Sequence, residues 1–347
     1  MLLRLFAILT LIFASSSHSA VILQYHHISD DTPPSTSISP TQFKAHMQYL
    51  KDNSFNVVPL SKVVDAIKQQ QPLGDKWVAI TFDDAFTDIK TNGTPVLKEF
   101  GYPYTLFVNP GSVNNAGHMD WDAIKELADE GVIIANHGME HASVARIPAG
   151  LTKAQWLEQQ SIELEKTEAI IKEKTGQSWQ YFAYPYGEFT PEIQTWLVDH
   201  GYVGFSQQSG AAGIKSDLSA LPRFPVSKPY DKLASLRDKL NSLPLAISLT
   251  EPHNQTIYTK GQLKSAIFNV EVEDFAQRQL NCYVSGLGRQ KIQWLNDKQF
   301  KIEFSKDLPT GRVRCNCTAP SLTQGGRFYW YSKPWFVLNS DNSWYPL

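Results

Sequence analysis

Residues 78–82 form a short apolar run that delivers Thr81, Phe82, Asp83 and Asp84 at its end. Two adjacent carboxylates raise each other's pKa unless a cation intervenes, so the economical reading is a metal ion held by one of the pair. The plainer reading is an Asp pair that only begins a helix at Ala85. A second apolar run, 132–135, ends in Asn136, His137, Gly138, Met139, Glu140 and His141. The His-x-x-x-His spacing puts two imidazoles on one face of a helical turn, a common metal pair. Alone, such a pair is often coincidence. It gains weight because both motifs follow apolar strands of one series, which places them on the same face of the fold.

The elements that must position these residues are short apolar runs alternating with helical patterns from residue 21 to about residue 240, as in βα units around a parallel sheet or barrel. Strands are expected at 21–25, 55–58, 78–82, 104–108, 132–135, 181–184 and 202–205. Ser39 caps and Pro40 opens a helix carrying Phe43, Met47 and Leu50, while Thr190 and Pro191 open another that ends at Gly201. This many alternations suit a barrel better than an open sheet. Around 241–252 the rhythm stops, and Pro244 and Pro252 punctuate a linker. Strand-like segments at 257–258, 265–270, 280–284, 292–295, 300–304, 311–317 and 327–331 then predict an all-β, immunoglobulin-like sandwich. The expected organisation is a signal peptide at 1–20, a catalytic domain at 21–243 and a C-terminal β-sandwich at 244–347.

Thr81-Phe82-Asp83-Asp84, His137-x-x-x-His141 and Phe182-Ala183-Tyr184-Pro185-Tyr186-Gly187, in that order, resemble the motifs of the polysaccharide deacetylases of carbohydrate esterase family 4, the NodB homology domain. The resemblance covers roughly residues 21–226 and includes Gln24-Tyr25-His26-His27. It is nearest the branch that acts on poly-N-acetylglucosamine-type exopolysaccharides. It implies a distorted (β/α)7 barrel, an α/β fold. It also implies that Asp84, His137 and His141 hold one divalent metal ion, zinc by default with cobalt or nickel as alternatives. Three ligands leave positions open for water and substrate, and the ion lowers the pKa of water from about 15.7 towards about 7.

The same resemblance makes Asp83 the general base, Tyr186 the source of a backbone N–H for the oxyanion, and His26 the general acid. His26 is expected near the ordinary imidazole pKa of about 6.5, raised by a neighbouring carboxylate. Many family members carry an Arg at the start of the Pro-Tyr motif, where this chain has Phe182 and Ala183; Arg223, in Leu221-Pro222-Arg223-Phe224-Pro225, is the candidate to orient the base instead. An Asp-x-x-Asp-Trp motif and a late Leu-x-His motif are absent from the sequence.

Other residues have plainer expectations. His27 should face away from His26 and be structural, His46 should lie at the surface, and Asp88 should be a helix-face charge. Trp121 either lines a sugar groove or packs into the core. Of the aromatic stretch 328–336, alternation lets the sandwich core claim only one set, either Phe328 and Trp330 or Tyr329 and Tyr331.

A length of 347 residues predicts about two domains, and 42% hydrophobic with 19% charged residues excludes a disordered chain. The net charge of −2, without any run of Lys or Arg, argues against a nucleic-acid partner. Arg4, an apolar stretch at 5–13 and small residues up to Ser19 and Ala20 read as a secretory signal. Ser15, Ser16, Ser17 and His18 interrupt that stretch too early for a stable membrane anchor. The expected location is periplasmic or extracellular. That compartment permits a disulfide from Cys282 to Cys315 or Cys317, with Cys317 favoured. The expected function is a secreted metal-dependent hydrolase that removes N-acetyl groups from N-acetylhexosamine units of a polysaccharide or oligosaccharide. The alternatives are a carbohydrate-binding or adhesion protein and a metallo-amidase acting on peptidoglycan fragments.

Overall fold

A computed structural model of the chain describes residues 19–252, 255–271 and 274–347. The expected signal peptide lies outside the described residues as far as residue 18. Among the described residues no helix is long and apolar enough to cross a membrane.

The first part of the chain contributes β1 (Ala20–Tyr25), β2 (His27–Ile28), β3 (Ser37–Ile38), β4 (Asn56–Val57), β5 (Trp77–Phe82), β6 (Thr105–Val108), β7 (Ile133–Asn136), β8 (Tyr181–Ala183), β9 (Val203–Phe205) and β10 (Phe224–Pro225). β2 and β3 pair with each other; the rest form one sheet in the order β10-β1-β5-β6-β7-β8-β9, with β4 beside β5. Every pairing in that sheet is parallel. β1 is buried along its whole length, as a parallel strand covered on both faces must be, which is why it reads as an apolar run without alternation. The sheet curls into a half-barrel. β9 and β10 do not pair; next to β9 a single parallel bridge joins Phe205 to Leu221, three residues before β10. β10 was not expected: two residues that include a proline carry no strand period.

Helices cover the sheet as the capping signals require. Ser39 accepts a hydrogen bond from the Gln42 N–H, Pro40 opens helix Pro40–Asp52, and the buried stripe is Phe43, His46, Met47 and Leu50. His46 therefore lies in the core and not at the surface: its place between Phe43 and Met47 on an i, i+3, i+4, i+7 face forces it inward. Its ring is partnered there by the Tyr25 hydroxyl at 3.1 Å and the Asp231 carbonyl at 2.7 Å.

From residue 242 onward the described regular structure is almost all β-strand, ending at Leu338. β11 (Ser242–Pro244), β13 (Ile257–Thr259), β15 (Asn281–Val284), β16 (Gly288–Gln290), β19 (Gly311–Pro320) and β20 (Phe328–Leu338) form one sheet; β12 (Ile247–Glu251), β14 (Ser265–Val270), β17 (Ile292–Trp294) and β18 (Gln299–Glu303) form another. The two sheets share one apolar core that includes Phe268, Phe300, Val313, Tyr329 and Trp335. The stretch expected to be a linker thus contains β11 and β12. Register sets Cys282 directly opposite Cys317, and these two are joined as a disulfide, leaving Cys315 buried and free. Alternation divides the aromatics of β20: Tyr329 is buried in the β-core, whereas Trp330 packs edge-on against Phe224 at 5.2 Å and Phe336 against Phe189 at 5.8 Å.

Candidate metal centre and active site

Parallel strands send the residues that follow them to one end of the sheet, so His26 after β1, Asp83 and Asp84 after β5, His137 after β7 and Tyr186 after β8 converge. Asp84 Oδ1 lies 3.4 Å from His137 Nε2 and 3.5 Å from His141 Nε2. All three donor atoms fall within 4.8 Å of one another. Donors that share one ion at about 2.0–2.2 Å have separations of this size.

The electrostatics point the same way. His137 is fully buried, and its Nδ1 lies 2.7 Å from the Ala183 carbonyl. That contact makes Nδ1 the protonated nitrogen and leaves a lone pair on Nε2, which is buried without a hydrogen-bond partner. Burial pushes the His137 pKa down to about 3, so the ring is neutral as a ligand must be. Burial, and then the Asp83 charge, push the Asp84 carboxyl up to about 8. A carboxylate so disfavoured and a lone pair without a proton are what a cation would satisfy, and the three residues fit one.

The path of the backbone here differs from the expected helical turn. His137 to His141 lie in a loop after β7, and His141 has a φ of 53°. Asp84 (φ 71°), Ala85 (φ 54°) and Tyr186 (φ 58°) share this left-handed conformation. For residues with a Cβ it is disfavoured and persists only where the surroundings enforce it. The start of the loop is held at His137 and Gly138: Asn109 Nδ2 donates to the His137 carbonyl at 2.5 Å, and the Gly138 N–H donates to Asn136 Oδ1 at 2.8 Å.

Asp83 is fully buried and multiply held. Arg223 donates from Nη1 to Oδ1 at 2.7 Å and from Nη2 to Oδ2 at 2.9 Å, and Gln24 Nε2 donates to Oδ2 at 2.7 Å. Burial alone would raise the Asp83 pKa, but Arg223, with help from His137 and His26, holds it well below the usual carboxylate range. Arg223 is itself fully buried and also donates from Nε to the Ser206 carbonyl at 3.1 Å. Gln24 was not among the candidates. The signal for it was alternation, since Gln24 and His26 share a strand face.

His26 Nε2 lies 3.8 Å from Asp83 Oδ2. Its pKa is not raised as expected: burial, with Arg223 and His141 adding to it, outweighs the pull of Asp83 and takes it down to about 4. The resting imidazole is neutral. His27 is structural, with Nδ1 2.6 Å from Asp88 Oδ2 and its ring stacked on Phe86 at 3.6 Å. Asp88 is therefore a partner of His27 and of the Ile28 N–H, not a free helix-face charge. Tyr186 packs edge-on against His141 at 4.4 Å. Trp121 is half-buried and packs against the apolar core.

Residues 70–205 match the family model described as polysaccharide deacetylase. The Bacillus subtilis protein YxkH, assigned by name to the polysaccharide deacetylases, is 30% identical over 207 residues, covering 59% of this chain and 71% of that protein. The poly-beta-1,6-N-acetyl-D-glucosamine N-deacetylase of Staphylococcus aureus (strain MRSA252) is 26% identical over 234 residues, covering 60% of this chain and 79% of its own length. Among solved structures, IcaB from Ammonifex degensii superposes with a TM-score of 0.55 at 26% identity, covering 63% of this chain and 96% of that one.

Proposed function

The chain belongs to the polysaccharide deacetylase family, and from that membership we propose that it is a metal-dependent hydrolase removing N-acetyl groups from an N-acetylglucosamine polymer. The observation that carries the proposal is the Asp84–His137–His141 triangle, with its unpartnered His137 Nε2, beside an Asp83 that Arg223 holds at two points. The likeness to poly-N-acetylglucosamine deacetylases supports the choice of sugar.

In this reading Asp84, His137 and His141 hold one divalent ion, zinc by default, with cobalt or nickel as alternatives. Bound there, the ion would acidify water and polarise the acetamide carbonyl. Asp83 accepts the proton of the attacking water. Arg223 and Gln24 fix the direction of that carboxylate, and Arg223 keeps it ionised. The Tyr186 N–H donates to the oxyanion as the carbonyl carbon becomes tetrahedral. His26, neutral at rest and 3.8 Å from Asp83, receives the proton drawn off the water and passes it to the departing amine. The C–N bond breaks to give the free amino sugar and acetic acid, whose remaining proton passes to the amine or to solvent and leaves acetate.

Export to the periplasm or the extracellular space through residues 1–20 belongs to the same proposal. So do a catalytic unit at 21–243 and an immunoglobulin-like unit at 244–347, the latter supported by two sheets facing across one core. The test is acetate release from poly-β-1,6-N-acetylglucosamine, chitin oligomers and peptidoglycan, before and after chelation. Release from the first that chelation abolishes and zinc restores is the expected result. Release from peptidoglycan alone, or from none, would overturn the proposed substrate.

A further inference from the structure

The C-terminal part of the chain, through β19 and through the segment after β20, reaches into the two loops that carry the candidate site. Glu188, two residues beyond Tyr186, is fully buried and accepts four hydrogen bonds. They come from Ser143 Oγ at 2.6 Å, Arg146 Nε at 2.8 Å, Arg146 Nη2 at 2.9 Å and the Tyr345 hydroxyl at 2.7 Å. Ser143 is two residues beyond His141, so this single carboxylate ties the His141 loop to the Tyr186 loop. Tyr345 comes from the far end of the chain. Its carbonyl accepts from Arg146 Nη1 at 2.8 Å, and the Arg146 guanidinium lies 4.6 Å from the Trp344 ring centre and 4.7 Å from that of Tyr345. A second contact is independent of the first: Arg312 on β19 donates from Nη1 to the Tyr186 carbonyl at 3.0 Å.

We propose that the C-terminal part of the chain is a positioning element of the active site, with Tyr345, in the segment after β20, acting through Glu188 and Arg312, on β19, acting through the Tyr186 backbone. The proposal rests on the reading of Tyr186 as the oxyanion donor. His141 and Tyr186 both hold left-handed conformations that their own side chains disfavour, and such conformations need enforcement from outside the loop. Glu188 supplies it between the loops, in a buried place where charge-assisted hydrogen bonds are strong. Arg312 supplies it at the peptide that follows Tyr186. Neither Tyr345 nor Arg312 touches the donor triangle, so both act on geometry and not on metal binding.

The experiment compares the full-length wild type with Tyr345→Phe, Arg312→Met and Arg312→Lys. Tyr345→Phe removes one hydroxyl and keeps the ring; Arg312 is exposed, so its replacement leaves the core intact. Metal content, kcat and KM on a soluble N-acetylglucosamine oligomer, and amide hydrogen exchange of the metal-free protein are measured. The expected result is a kcat lower by about 10- to 100-fold in Tyr345→Phe and Arg312→Met, because small misplacements of catalytic groups carry costs of that size. KM and metal content stay within about twofold, and Arg312→Lys recovers most of the loss. Exchange should quicken at 137–146 and 184–189 alone. Unchanged kcat with a lowered melting temperature, or unchanged exchange in both loops, would overturn the proposal. A wild type that releases no acetate would overturn the proposed function, and exchange would then judge the positioning role alone.

Discussion

Arg223 and Asp83, 140 residues apart in sequence, meet as a two-point ion pair with both side chains fully buried. A guanidinium fork matches a carboxylate in plane as well as in charge, so the pair sets the direction of Asp83 and not only its ionisation.

Removing the cation should therefore be costly. Arg223→Met strands a buried carboxylate and is expected to lose about 3–5 kcal/mol, measured by urea unfolding. The pH dependence follows from the depressed pKa of Asp83. The unfolded carboxyl, with its ordinary pKa of 3.8, takes up protons first as pH falls. The pair's contribution is thus present above about pH 4 and is lost progressively below it. In Arg223→Met burial alone acts on Asp83 and its folded pKa rises above 3.8, so this acid loss should vanish and the stability gap to the wild type should narrow below about pH 4; a gap independent of pH would remove Arg223 as the stabilising partner.

Metal loading should release a proton. In the metal-free protein Asp84 is pushed up to about 8, chiefly by burial, while His137 is already neutral. Calorimetric titration with zinc at pH 6, below the titration of Asp84, in buffers of different ionisation enthalpy should show about one proton released per ion. Because the folded pKa of Asp84 lies above its unfolded value, its contribution to metal-free stability is full below about pH 4 and is lost as pH rises through about 8. Heats independent of the buffer would count against Asp84 as a ligand.

Asp83 and Asp84 should separate in their effects. Asp83→Asn keeps the metal and loses acetate release by several orders of magnitude, whereas Asp84→Asn loses both. Elemental analysis alongside acetate assays decides it, and an active Asp83→Asn would place the base elsewhere.

His26→Ala should keep the metal and lose about 10²–10⁴ in rate on acetamides, the usual worth of a general acid. An activated acetyl ester, whose leaving group needs no proton, should be affected far less. Equal losses on both substrates would make His26 structural.

Reducing the Cys282–Cys317 bridge, which closes a separation of 35 residues, should lower stability by about 3–4 kcal/mol in the chain-entropy picture. Thermal unfolding with and without reductant measures the effect, and peptide mapping under non-reducing conditions should recover Cys315 as the free thiol. A bridge found at Cys315 would contradict the strand register.

Several features were legible because their signals are local. Apolar runs ending in Asp83-Asp84 and in His137 mark parallel strands, and Ser39-Pro40 marks a helix start. The core place of His46 was also written in helical spacing, in the stripe Phe43, Met47 and Leu50 that frames it. The strand in Ser242–Pro244 left no such mark, since its partner β20 lies 84 or more residues further along the chain.

The sequence by itself determined which residues end the strands and hence which chemistry gathers at one end of the sheet, because a parallel strand delivers its C-terminal neighbours to the same side. Only the tertiary structure decided how those residues are held. Arg223 and Gln24 on Asp83, Asp88 on His27, and Tyr345 and Ser143 on Glu188 are all contacts between segments distant in sequence. The left-handed turns at Asp84, His141 and Tyr186 belong with them, because a conformation that local sterics disfavour is selected by the contacts that surround it. Burial settled the rest: it took His26 down where a neighbouring carboxylate alone would have raised it, a balance that depends on how much protein lies over the ring.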